Sequence, residues 1–148
     1  MNVDKEKALR SSPLFDMLSP AELEVLAELS RPRRFAPGEV VFREGDQGDA
    51  LFVLARGAVE VVARREGTER VLAVLTAPDA FGEMSLIDRE VRSATIRAKD
   101  DCLALQLSAE NFTAFRKRSR DGFTLFLVNV ARVLSSRLRE TNQKLASR

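Results

Sequence analysis

The 148 residues are 45% apolar and 31% charged, the balance of a globular chain, and no apolar run approaches the ~20 residues a membrane span requires. That length suits one domain with a sizeable core rather than two. With no histidine and a single cysteine, the chain cannot build a Ser-His-Asp triad, a His-ligated metal site, a thiolate cage or an internal disulfide, so neither an enzyme nor a metalloprotein is expected.

In chain order, Ser19-Pro20-Ala21-Glu22 has the form of a capping box with proline in the first turn, and Leu23, Leu26 and Leu29 follow at helical spacing. The helix is expected to end before Pro32. From Phe35 to Leu107, short apolar or β-branched runs alternate with Gly, Asp and Pro punctuation, which reads as an all-β sandwich or roll with strands near 40–43, 50–55, 58–64, 71–75, 93–97 and 102–107. Cys102 sits in one of these runs and reads as a small buried hydrophobe. Ser108 is a plausible cap. Beyond it, helical spacing resumes through Phe112 and Phe115 and then through Phe123, Leu127, Val130, Leu134, Leu138 and Leu145. The boundaries are a helical segment over 1–34, a β-roll over 35–107 and helices over 108–148, all one module. The amino terminus lacks the apolar core of a secretory signal, and a reducing cytoplasm is the expected location.

The formal charge of +2 hides an asymmetry, because residues 116–148 hold 9 Lys/Arg against 2 Asp/Glu while the preceding 115 hold 15 against 20. The run Arg116-Lys117-Arg118-Ser119-Arg120 concentrates it. No aromatic residues interleave these charges, so a solvated helix face is favoured over a nucleic-acid contact.

Between the expected fourth and fifth strands lies Phe81-Gly82-Glu83-Met84-Ser85-Leu86, then a short loop, then Arg92-Ser93-Ala94. These are the parts of an anion pocket. Gly82 lets backbone amides approach a ligand, a short helix from Glu83 would aim its first amides at negative charge, and Arg92 adds a fork of donors matched to phosphate oxygens. Glu83, an acceptor, suits a sugar hydroxyl beside the phosphate. On spacing alone, a plain Glu83 to Arg92 ion pair weighs about as much.

The stretch resembles the phosphate-binding cassette of the cyclic nucleotide-binding domain family, whose pattern runs Phe-Gly-Glu, a small residue, Leu, a short loop, then Arg-Ser/Thr-Ala. The resemblance extends to the turn from Gly45-Asp46 to Asp49, to Leu51-Phe52-Val53-Leu54 before Arg56-Gly57, and to the tail helix. It implies a mainly β fold with flanking helices, an eight-stranded jelly-roll-like β-roll with a long C-terminal helix, binding a cyclic purine mononucleotide, cAMP before cGMP, and no metal. It also implies ligand-binding roles for Gly82, Glu83, Met84, Ser85, Arg92 and Ser93, with Glu83 on the ribose 2′-hydroxyl and Arg92 and Ser93 on the cyclic phosphate. Val61, Leu72, Phe81 and Met84 are proposed as apolar wall for the base. Thr141 and Asn142 stand where catabolite-activator-type regulators contact adenine through a Thr-Ser pair, and the Asn departs from that pattern.

A long apolar stripe on the closing helix predicts a homodimer, the competing arrangement being a stripe folded back on its own roll. Regulators of the catabolite activator and Fnr type continue into a helix-turn-helix domain, which is absent before Arg148. The expected function is therefore a cyclic-nucleotide sensor acting through a partner protein, with neither nucleic acid nor membrane as partner. The rival readings are a dimerising adaptor that binds no nucleotide and a truncated transcription regulator.

Overall fold

A computed structural model describes residues 4–147. Helix α1 (Lys5–Ser11), a 3₁₀ turn (Pro13–Phe15) and α2 (Pro20–Leu29) lead into β1 (Arg31–Phe35), β2 (Val40–Phe42), β3 (Ala50–Arg56), β4 (Ala58–Arg65), β5 (Thr68–Thr76) and β6 (Ala80–Phe81). Helix α3 (Glu83–Asp88) separates these from β7 (Thr95–Ala98) and β8 (Cys102–Ser108), after which α4 (Ala109–Arg118) and α5 (Arg120–Ala146) close the chain. All pairings are antiparallel, in two sheets ordered β1-β8-β3-β6 and β2-β7-β4-β5.

Why β3 and β8 read as unbroken apolar runs is visible in the packing. Ala50, Phe52 and Leu54 point into the roll with Phe35, Val59, Phe81 and Ile96, while Leu51 and Val53 point the opposite way, into a second cluster with Leu105, Leu107 and the helices. The sheet is buried on both faces, so strict alternation is lost. The other sheet keeps one face to solvent.

Ser19 and Glu22 form the expected capping box at α2, and Ser108 with Asn111 forms another at α4. Cys102 is buried, its thiol pushed up by burial and donating to the Ala58 carbonyl at 2.9 Å. The first strand begins at Arg31, ahead of the roll boundary read at Phe35; α1 lies inside the expected helical segment over 1–34, and β6 falls outside the strands expected individually.

Along α5 the buried stripe is rotated from the one expected. Phe126 stacks between Phe112 (4.5 Å between centroids) and Phe15 (5.6 Å), which turns Leu127 outward. Asn129, also buried, donates to the carbonyls of Leu14 (3.2 Å) and Asp16 (2.8 Å), tying the helix to the 3₁₀ turn. The first half of α5 thus folds back on its own body through Phe123, Phe126, Val130, Val133 and Leu134, whereas Leu138 and Leu145 are exposed.

Candidate functional site

The cassette is a strand, a tight reversal and one and a half turns of helix. Gly82 caps α3 in the left-handed region (φ 87°). A Cβ there would lie 2.8 Å from Arg92 Nη1 and 2.9 Å from the Ala50 carbonyl oxygen, so both the conformation and the space demand glycine. Gly48, in the turn after β2, meets the cassette from below: a Cβ on it would overlap the Ser85 side chain and come within 3.0 Å of Arg92 Nε.

Arg92 follows α3 on the chain and returns its side chain beneath the cassette. Its Nη1 donates to the Gly82 carbonyl at 3.0 Å and its Nη2 to the Ala50 carbonyl at 2.7 Å. The guanidinium carbon lies 3.9 Å from the centre of the Phe42 ring, a close cation–π stack. Phe42 in turn packs on Phe52 and Phe81. The residue is 5% exposed, and burial pulls the guanidinium pKa down against the upward pull of Asp49, Asp46 and Glu83. A guanidinium stays charged throughout the working pH range regardless. Its Nε is buried with no partner among the described residues.

Glu83 is buried as well, and its Oε1 accepts from Arg137 Nη1 of α5 at 2.6 Å. The plain Glu83 to Arg92 ion pair is not formed. Glu83 and Arg92 both line a cavity of about 310 Å³ at the mouth of the roll, near the lower end of the size range of small-molecule sites. Gly82, Met84, Ser85 and Ser93 contribute to the same wall, with Val61 and Phe81 behind them.

Three of the residues singled out in the sequence are not in that wall. Leu72 is exposed because a β-bulge in β5 pairs Val61 with Ala73 and Val62 with Val71, leaving Leu72 as the extra residue; Ala73 and Leu75 take the wall instead. Thr141 and Asn142 lie on α5 one turn beyond Arg137, exposed and outside the cavity lining, the Thr141 hydroxyl donating to the Arg137 carbonyl. Conversely, the sequence reading passed over Phe42, Ile96 and Arg137. The signal for Arg137 was its place four residues before Thr141, on the same helix face.

Compared with known proteins, residues 32–119 match the cyclic nucleotide-binding domain pattern, more than half of the chain. The chain belongs to the cyclic nucleotide-binding domain family. The domain is 36% identical over 138 residues to the cyclic AMP receptor protein of Thermus thermophilus, covering 93% of this chain and 62% of that one. The crystal structure of the Thermus thermophilus catabolite activator protein superposes with a TM-score of 0.80 over 90% of this chain and 62% of that chain, at 36% identity. The regulatory domain of Toxoplasma gondii PKA, crystallised with cAMP, gives a TM-score of 0.71 at 30% identity, over 75% of this chain and 42% of that one. The cAMP-dependent protein kinase regulatory subunit of Mycosarcoma maydis is 36% identical over 93 residues, which are 63% of this chain and 18% of the subunit. The chain thus spans less than two thirds of each of these relatives.

Proposed function

We propose that this domain senses a cyclic purine mononucleotide, cAMP in first place, and passes the signal to a partner protein. The phosphate would lie on Arg92 and Ser93 beside Gly82, the ribose 2′-hydroxyl on Glu83, and the base against Val61 and Phe81. One observation carries this reading: a buried, charged guanidinium lines an apolar cavity with one donor unmatched, and a desolvated N–H of this kind is stabilised by an anionic oxygen. Glu83 keeps acceptor capacity beside its bond to Arg137, since a carboxylate has about four lone-pair sites. Preference for cAMP rests on the relatives named for it.

Because Arg137 on α5 holds the carboxylate that the ribose would use, ligand and helix share one group, and binding favours whichever placement of α5 gives the better joint contact. Thr141 and Asn142 reach the base only if that helix moves toward the cavity. Leu138 and Leu145, exposed on its distal half, are the proposed seam of a homodimer. Light scattering on a sizing column is expected to give a dimer, and Leu138→Glu with Leu145→Glu a monomer.

Titration calorimetry with cAMP, cGMP and cyclic dinucleotides tests the ligand. Saturable cAMP binding is expected, with stabilisation of about 2.7 kcal/mol at a hundred times Kd. No heat and no thermal shift at millimolar nucleotide would select the adaptor reading.

A further inference from the structure

A second concavity, of about 420 Å³, shares Ser85 with the nucleotide cavity and opens between α3, α4 and α5. Its apolar wall comes from all three helices, and two of its residues, Ile87 (50% exposed) and Leu127 (40%), lie open to solvent. Arg89 at the end of α3 and Arg116 at the end of α4 line it. A contiguous depression shares Arg116 and Phe123 and adds Lys117 and Arg120.

Arg89, Arg116, Lys117 and Arg120 thus border the two hollows. Ion pairs among the described residues engage Arg65, Arg97, Arg118 and Arg137, and none of the four. Among the described residues Asp49 is the only carboxylate lining either hollow, and it acts electrostatically on the buried Arg92. An apolar trough bordered by unneutralised positive charge on a body that is otherwise acidic is complementary to one kind of surface: an apolar ridge flanked by carboxylates. Three helices enclosing a trough present the shape that receives a fourth. A bilayer would need the apolar residues on a convex or flat face, and a nucleic acid would place phosphates, not apolar atoms, on Ile87 and Leu127.

We propose that this groove docks an acidic amphipathic helix of a partner protein, its apolar residues seated on Ile87, Phe123 and Leu127 and its carboxylates on Arg89, Arg116, Lys117 and Arg120. Such docking requires no nucleotide in the neighbouring cavity, so it stands or falls separately from cAMP binding.

The probe is a fluorescein-labelled synthetic helix with leucines at i, i+3 and i+7 flanked by glutamates, followed by anisotropy at low salt. Saturable binding is expected. It should weaken by about tenfold or more with Arg116→Glu plus Arg120→Glu, and likewise with Arg89→Glu on the opposite lip. The same peptide with lysines for glutamates should not bind. Amide resonances of residues 85–89, 112–116 and 123–127 should shift in nitrogen–proton spectra of the wild-type protein. Absence of saturable binding, equal binding of the lysine peptide, or shifts confined to other residues overturns the proposal. So does tighter binding of phosphatidylserine vesicles or duplex DNA that the same substitutions abolish.

Discussion

Replacing Arg92 by alanine tests the proposed nucleotide site at its most exacting point. The side chain makes two hydrogen bonds to backbone carbonyls and a stack on Phe42, and it holds an unmatched Nε. A charge-assisted bond to phosphate contributes about 1.5–3 kcal/mol, and a loss of about 2.7 kcal/mol weakens Kd roughly a hundredfold. Folding suffers too. The carbonyls of Gly82 and Ala50 lose their donor at about 1–3 kcal/mol each, partly offset because a desolvated cation leaves with it. A net destabilisation of about 2 kcal/mol lowers Tm by about 4–8 °C in a domain of this size. Arg92→Lys separates the two effects, since it keeps the charge but not the planar fork that serves both carbonyls; its cAMP affinity should fall about tenfold. Calorimetry at 25 °C, paired with a thermal melt showing that each variant is folded, reads both quantities. A folded Arg92→Ala protein binding cAMP within about threefold of wild type would falsify the assignment of Arg92 to the phosphate.

Gly48→Ala is expected to destabilise the domain by about 1–3 kcal/mol and weaken cAMP binding, because the new methyl group overlaps the buried Ser85 side chain under the cassette; melts and calorimetry report both. Arg137→Ala leaves Glu83 buried without its partner. Discounted for the half-exposed arginine, this should remove about 1–2 kcal/mol and speed hydrogen exchange over residues 134–146, read by mass spectrometry. The Ser19 backbone N–H, aided by the Ser119 and Ser19 hydroxyls, holds the Glu22 carboxyl below the ordinary value of 4.5. A depressed carboxyl stabilises the fold fully above 4.5 and loses that contribution as pH falls through its lower folded value. Glu22→Gln should therefore reduce stability by about 0.5–1 kcal/mol at pH 7, and denaturant melts at falling pH should show the gap to wild type closing below 4.5.

The grouping of Gly82, Glu83, Arg92 and Ser93 about one cavity was legible because they stand in the order of the family pattern, with glycine at 82 where nothing larger fits. Most strands were legible from β-branched runs between turn residues. Arg31–Phe35 was not, because Arg31-Pro32-Arg33-Arg34 shows no apolar alternation. It forms an edge strand on β8, where a proline lacking an N–H is tolerated. Leu72 was misplaced because alternation assumes unbroken register, and a bulge leaves no mark in composition. Rotation of α5 is set by a ring stack involving Phe15, more than a hundred residues away in sequence, and no local period could report it. Arg137 looked like any surface arginine until its partner's position was known.

The bulge at Leu72 has a consequence beyond the cavity. Strand β5 lies at the free margin of its sheet, nine residues long, with Val71, Leu72 and Val74 open to water. A flat margin of that length invites edge-to-edge stacking of molecules into fibrous aggregates. The extra residue throws the two halves of the margin out of step, so an incoming chain can match one half only by mismatching the other, which disfavours growth of such stacks along this rim.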